Sequence, residues 1–238
     1  MKTTDKMAAR RKNALVIAGA LAVSLTCAGA RAAGGGEVTH LSGTLSVQRP
    51  DGAMLVLGQK SEVRAGDVLS TQKDSYAQIN FQDGSTVTMR PYTQMKIDAF
   101  NYVQDKPQED NAFFRLIKGG LRTVTGLVGK RGNQDAYRIG TATATIGIRG
   151  SVGDTVACEP SCAGVMPGGE TLTPGTHHQT LNGSYVMTSG GQTVLINEGN
   201  SGFSNGQDIK VSIGAIGGGA LNFTIPIGGG GLKGAACQ

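Results

Sequence analysis

The feature that most constrains the fold is a succession of short alternating segments separated by glycine turns. Residues 77–82 alternate apolar and polar side chains, Asp83-Gly84 follows as a strong hairpin dipeptide, and residues 86–89 resume the alternation. After residue 33, apolar residues nowhere sustain a 3.6-residue period over ten positions. The pattern therefore predicts an all-β domain of many short strands, β-helix or sandwich-like, with few or no helices apart from the N-terminal segment.

Composition supports this fold class. Glycine supplies 38 of 238 residues, about twice its usual share, whereas charged residues are only 16% and tryptophan is absent. These values exclude a coiled coil, a long helical bundle and a charge-rich disordered chain, and the 39% hydrophobic content still allows a core. The alternating positions predict core residues, which are Ile79, Phe81, Val87, Met89, Ile97, Leu116, Leu121, Ile139 and Ile146.

Residues 1–32 are typical of a secretory signal peptide. A basic region from Lys2 to Lys12 precedes an uncharged apolar run over 14–28, and small residues predict cleavage after Ala30 or Ala32. The alternative is an uncleaved membrane anchor, but the run is shorter than the ~20 residues that a spanning helix needs. We therefore expect no stable transmembrane span after cleavage.

The positive charge of the chain lies in this N-terminal segment. The whole chain carries +5, but residues 33–238 hold 16 basic and 16 acidic side chains. A neutral mature chain offers no basic surface of the kind that binds nucleic acid, so we expect no nucleic-acid partner.

Export sets the expected chemistry of the cysteines. In an oxidising compartment, Cys158 and Cys162 can close a small disulfide loop, which leaves Cys237 unpaired. A zinc site would need a second ligand pair, and the adjacent His177 and His178 would point to opposite faces of a strand. The sequence therefore predicts a Cys158–Cys162 disulfide, no metal site and no cofactor.

Motifs for catalysis are incomplete. Gly129-Lys130 lacks the first glycine and the Ser/Thr of a phosphate loop, and residues 199–202 are one residue short of a nucleophile elbow. The carboxylates are spread singly, mostly in turns, where they cap the backbone. We therefore expect no catalytic residues and no enzyme activity.

Six motifs, in this order, resemble those of FecR-like domains over about residues 42–157. They cover residues 43–47, 65–71, 75–85, the strand through Met89 with Pro91 and residues 95–97, residues 118–122, and residues 141–151. The resemblance implies an all-β periplasmic, surface or secreted domain of a Gram-negative bacterium, without catalytic residues. It also implies that Cys158–Cys162 and the 185–196 hairpin form an extension found in some secreted members.

The chain departs from the name-giving regulators of that family. In those regulators the domain follows a cytoplasmic anti-sigma region and a membrane helix, whereas here a signal peptide precedes it. Ser151 stands where the family usually has threonine, and Gly153 where a bulky residue is usual. Both positions follow the motif Gly147-Ile148-Arg149-Gly150, so these departures bear on the local packing after that motif.

The glycine–arginine motif itself, Gly147-Ile148-Arg149-Gly150, is interpreted as structural. Its glycines are typical of bulges or of close backbone approaches. Arg149 between them is expected to be buried or half-buried and bonded to neighbouring carbonyls, because arginine is rarely fully buried unless it is paired. The alternative is that Arg149 binds an anion.

The sequence predicts four segments: a signal peptide over 1–32, a FecR-like β domain over 37–157, a β extension of the same domain over 158–213 and a glycine-rich tail over 214–238. The expected function is that of an exported, non-catalytic binding module whose partner is an envelope protein or a glycan. The alternatives are a sensory component of an envelope-to-sigma-factor signalling system and an enzyme acting on polysaccharide. An exposed sheet edge or groove would favour the binding module.

Overall fold

The computed structural model describes residues 35–133, 135–162 and 172–215. Within this part of the chain, 17 strands and one short 3-10 helix (Pro107–Glu109) confirm the all-β prediction. The strands are β1 (Gly35–Ser42), β2 (Leu45–Gln48), β3 (Met54–Leu57), β4 (Glu62–Arg64), β5 (Val68–Thr71), β6 (Tyr76–Phe81), β7 (Thr86–Met89), β8 (Gln94–Asn101), β9 (Asn111–Val124), β10 (Tyr137–Gly140), β11 (Thr145–Ile148), β12 (Val152–Cys158), β13 (Gly175–Asn182), β14 (Ser184–Ser189), β15 (Gln192–Asn197), β16 (Asn200–Ser204) and β17 (Ile209–Ile213).

The strands pair into two sheets that share β9. The first sheet runs β4-β1-β6-β7-β9-β12-β13-β16-β17. The second runs β3-β2-β5-β8-β9-β10-β11-β14-β15. Among the described strands, every pairing is antiparallel except that of β9 with β10. No helix among the described residues is both long and apolar enough to cross a bilayer.

Strand β9 passes from one sheet to the other at Gly119. Its first half pairs with β8 and β10, and its second half pairs with β7 and β12. Gly119 has φ +93°, and a Cβ there would lie 2.5 Å from the Cα of Thr93, so only glycine fits this bend. The Thr93 hydroxyl fixes the bend because it donates to the Gly120 carbonyl and accepts from the Gly120 N–H, both at 3.0 Å.

The core lies between the two sheets. Phe81 of the first sheet contacts Phe100 and Phe114 of the second, with ring centroids 4.8 and 5.0 Å apart, and Phe114 contacts Tyr137 at 5.5 Å. All nine predicted core residues are buried. Alternation along the strands therefore identified the inward-facing side chains correctly.

One prediction of irregular structure is wrong. The Gly, Pro and Thr content of residues 163–183 predicts a loop, but Gly175–Asn182 is strand β13. The strand lies inside the first sheet between β12 and β16, and its residues 175–180 are buried on both faces. Because neither face meets solvent, the sequence shows no alternation there. The predicted signal peptide, most of the glycine-rich tail and Cys237 lie outside the described residues.

Candidate functional site

The glycine–arginine motif crosses the end of β11, and its residues play different parts. Ile148 is buried in the core, whereas Gly150 has φ +68° and turns the chain towards β12. The expectation that Arg149 is buried or half-buried is wrong: its side chain is exposed, and no described residue forms a hydrogen bond or ion pair with it. Gly150 reverses the backbone immediately after Arg149, which leaves that side chain outside the sheet.

Gly147 also differs from the expectation of a bulge or close approach. It pairs in regular register with Arg138 and Val186. A Cβ on Gly147 would lie 3.8 Å from its nearest neighbour, the Val186 carbonyl, which is an ordinary contact. The structure therefore accounts for glycine at position 150 but not at position 147.

Arg149 lines a cavity of about 390 Å³ together with the loop between β9 and β10. The lining residues are Gly129, Lys130, Arg131, Gly132, Arg149 and Gly150. Lys130 approaches Gly150 so closely that a Cβ there would touch the Lys130 Cγ at 3.4 Å. Residues about 20 positions apart in sequence thus bring three cationic side chains to one cavity.

The three cations of this cavity are not equivalent. Arg131 is engaged with the protein: its Nε donates to Asp110 Oδ2 at 2.9 Å, its other nitrogens donate to the carbonyls of Gln104 and Val103, and it lies over the Tyr102 ring. Lys130 and Arg149 have no acidic partner among the described residues, and both are exposed. The uncompensated charge therefore belongs to Lys130 and Arg149.

A second exposed feature is strand β3, which pairs only with β2 among the described strands. Leu57 is buried, but Met54, Leu55 and Val56 are 64%, 50% and 76% exposed. The Arg49 N–H donates to the Ala53 carbonyl at 2.8 Å. In an antiparallel pair, every second residue of a strand forms backbone hydrogen bonds with the neighbouring strand. Counting from Ala53, the residues of β3 that bond to β2 are therefore Leu55 and Leu57. The N–H and C=O groups of Met54 and Val56 then point out of the sheet edge.

The other edge strands of the two sheets carry protection that β3 lacks. Strand β4 has three residues, two of them charged, β17 carries Lys210, and β15 carries polar side chains at both ends. Such devices commonly prevent a sheet edge from pairing with another chain. Strand β3 consists of four apolar residues without a charge, so its edge is open to a further strand.

Several ionisable groups lie inside the fold and bond to neighbouring side chains. Arg122 binds Asp154 through two hydrogen bonds of 2.7 and 2.8 Å, and burial raises the pKa of Asp154 although the guanidinium opposes this shift. Burial lowers the pKa of His178 to about 3 and raises that of Tyr185 above its usual range. His178 and Tyr185 are in ring contact at 4.2 Å.

The adjacent His177 and His178 lie on opposite faces of β13. His177 lies on the face of β13 that contacts Phe203, and His178 lies on the opposite face, against Tyr185. The two rings are therefore separated, as the expectation for a strand required. Among the described residues, no group of three His, Cys, Asp or Glu side chains is placed to hold a metal ion.

Cys158 and Cys162 form the predicted disulfide, with Cα atoms 4.7 Å apart.

Residues 67–161 match the family described as FecR protein. Two crystal structures, at 1.65 and 2.50 Å, of a candidate anti-sigma factor from Parabacteroides distasonis ATCC 8503 are similar at 11% identity and a TM-score of 0.44. Each similarity covers 62% of this chain and 59% of that chain, so this chain spans about three fifths of its length. No curated protein matches. The resemblance to FecR-like domains is thus confirmed over 67–161, and the motif at 43–47 lies outside the match.

Proposed function

We propose, on the premise that residues 67–161 are a FecR domain, that this chain is a non-catalytic binding module of the cell envelope which holds an extended segment of a partner protein at β3. The observation that carries the proposal is the open edge of β3, with three exposed apolar side chains and no charge. An apolar surface of this kind on a sheet edge suits a partner that supplies its own strand.

Strand addition fits the geometry of β3 residue by residue. Met54 and Val56 present outward backbone groups, which would pair with the N–H and C=O groups of the added strand. In the register with β2, Leu55 lies opposite the buried Val47, and Leu55 itself is half exposed. A partner strand would therefore cover Leu55 with one of its own apolar side chains, and the main-chain bonds would supply affinity with little salt dependence.

The absence of turnover is supported by the state of the ionisable groups. Asp154, His178 and Tyr185 are buried and bonded to neighbouring side chains. A nucleophile with an adjacent base in a cleft is the usual arrangement for covalent catalysis, and these residues do not provide it. The domain is therefore better suited to binding than to chemistry.

A sensory component of an envelope-to-sigma-factor system is the second candidate function. The FecR match over residues 67–161 favours it, because the name-giving members of that family receive signals in the envelope. The two candidates differ in the identity of the partner. A transporter or sigma-regulatory protein bound at β3 would assign the chain to signalling.

The experiment places a photo-activated cross-linking amino acid at Val56 and, as a matched control, at Ile213 of the edge strand β17. Both positions are highly exposed, so neither replacement should disturb the fold. We expect a discrete protein adduct from position 56 in cells and none from position 213. The segment of the partner that carries the cross-link is then synthesised, and its affinity for the purified protein is measured.

Lysine substitutions complete the test. M54K and V56K place charges on the open edge, and I213K places one on β17. The first two should weaken binding of the synthetic segment by at least about tenfold, whereas I213K should leave it unchanged. Equal binding by all variants, or a glycan as the bound species, would overturn binding at β3. Turnover of a substrate that a single point mutation abolishes would overturn the non-catalytic assignment.

A further inference from the structure

We propose that the cavity between Lys130 and Arg149 is a binding site for a compact oxyanion, a phosphate or carboxylate group carried by an envelope ligand. The site is separate from β3 and does not depend on binding there. Lys130 and Arg149 differ from Arg131 and Arg122 in their charge partners. Arg131 and Arg122 form ion pairs with carboxylates, whereas Lys130 and Arg149 have no carboxylate partner among the described residues.

Concavity distinguishes this pair from isolated surface lysines. Lys130 and Arg149 line one cavity together with three glycines, at positions 129, 132 and 150. A Cβ at Gly129 would lie 2.2 Å from Thr125 Cγ2, and one at Gly132 would lie 2.2 Å from the Pro107 carbonyl, so these glycines allow the loop that forms the cavity wall to pack closely. Arginine matches the planar geometry of a carboxylate or phosphate with two parallel bonds, and lysine adds a point charge.

The two walls of the cavity are fixed to one another. The Thr125 hydroxyl donates to the Ser151 carbonyl at 2.7 Å and accepts from the Ser151 N–H at 3.0 Å. These bonds join the start of the β9–β10 loop to the residue that follows Gly150. A site whose walls are already fixed loses little conformational freedom when a ligand binds.

The β9–β10 loop is held from its other side as well. Asp83, in the β6–β7 turn, accepts from the N–H groups of Leu127 and Val128. Gly132 lies so close to Pro107 that a Cβ there would be 2.2 Å from the Pro107 carbonyl. Arg131, bonded to Asp110, acts as a positioning residue that anchors the loop, while Lys130 and Arg149 remain available for the ligand.

The size of the cavity indicates what carries the oxyanion. A volume of about 390 Å³ lies in the range of small-molecule sites. It is larger than a lone phosphate or carboxylate requires, so it has room for part of the molecule that carries the group. A phosphate ester and a carboxylate share this chemistry, and the experiment separates them.

The experiment follows the amide resonances of Gly129, Gly132 and Gly150 while the purified protein is titrated at constant ionic strength. One arm uses inorganic phosphate and glycerol phosphate, the second uses succinate and an acidic tripeptide, and sodium chloride supplies the baseline. We expect saturable shifts in at least one of the first two arms. The series of compounds that binds with the higher affinity identifies whether the natural ligand carries a phosphate ester or a carboxylate.

R149Q and K130Q remove the proposed ligands one at a time, and K210Q removes an exposed lysine on β17. The first two should each weaken binding by about tenfold, whereas K210Q should have no effect. Both altered side chains are exposed, so the remaining amide resonances should report an intact fold. Amide shifts no larger than those in sodium chloride would overturn the site. Shifts in R149Q and K130Q as large as those in the unaltered protein would also overturn it. Neither result would affect the proposal for β3.

Discussion

Gly153 lies against the ring of Tyr185, so closely that a Cβ on Gly153 would be 2.8 Å from two of the ring atoms. Gly153 belongs to β12, within the FecR match, and Tyr185 belongs to β14, beyond it. The ring occupies the space that a bulky side chain at position 153 would need. The packing of β14 is therefore the physical reason for glycine at position 153.

Replacing Gly153 should destabilise the protein because the side chain would collide with Tyr185 and with the Gln179 carbonyl at 2.9 Å. We expect G153V to lower the free energy of unfolding by roughly 1–3 kcal/mol, measured by urea denaturation. G147V is the matched control, since Gly147 is also a strand glycine but a Cβ there would have no neighbour closer than 3.8 Å. Equal losses for both variants would contradict the packing argument.

The stability of the protein should fall as the pH drops below about 6.5, mainly because of His178. Burial lowers the folded-state pKa of His178 from 6.5 to about 3, so between these values the unfolded chain binds a proton that the folded chain does not. The free energy of unfolding should then decrease by about 1.4 kcal/mol per pH unit for this group. His177, whose pKa burial also lowers, adds a contribution of the same sign.

Urea denaturation at several pH values between 7.5 and 5 measures this slope. H178Q should reduce it, although the variant is less stable at every pH because a buried ring is lost. A wild-type free energy of unfolding that is constant over this range would show that His178 is not buried in its neutral form.

The Cys158–Cys162 bridge should contribute about 2 kcal/mol through the chain entropy of its five-residue loop. In a C237S variant, a reductant should lower the free energy of unfolding by that amount, as measured by urea denaturation. C237S alone should match the unaltered protein under oxidising conditions. Peptide mapping without reductant should recover Cys158 joined to Cys162, and a peptide that links Cys237 to either would contradict the pairing.

Sequence reasoning identified the structure where one strand face meets the core and the other meets solvent. The β6–β7 hairpin and the burial of Phe81 follow from that alternation together with Asp83-Gly84. Strand β13 could not be found in this way, since both of its faces are buried. Some of its buried polar side chains bond to residues distant in sequence, as His178 does with Thr155 at 3.0 Å.

The candidate sites depended on long-range pairing that local patterns do not encode. Only the arrangement of the whole sheet places β3 at an edge, and its four residues alone do not show this. Arg149 was expected to be buried or half-buried and bonded to neighbouring carbonyls. Its exposure follows from the turn at Gly150, and its neighbour Lys130 comes from a loop that precedes β10.

Phe81 should be among the most destabilising positions to truncate, because it joins the two sheets through Phe100 and Phe114. F81A should cost roughly 3–5 kcal/mol, since the lost transfer energy and the new cavity add. V56A, on the exposed side of β3, should change the free energy of unfolding by less than about 0.5 kcal/mol. Chemical denaturation of both variants checks the difference, and similar values would contradict the assignment of Phe81 to the core.

Amide hydrogen exchange of β3, with and without the synthetic partner segment recovered by cross-linking at position 56, tests the binding proposal most directly. In the free protein the amides of Met54 and Val56 should exchange fast, and those of Leu55 and Leu57 slowly. If the segment adds as a strand, the amides of Met54 and Val56 should exchange more slowly in the bound protein. The exchange rates of the Leu55 and Leu57 amides should change little. Saturated binding that leaves the exchange of Met54 and Val56 unaltered would contradict strand addition at β3.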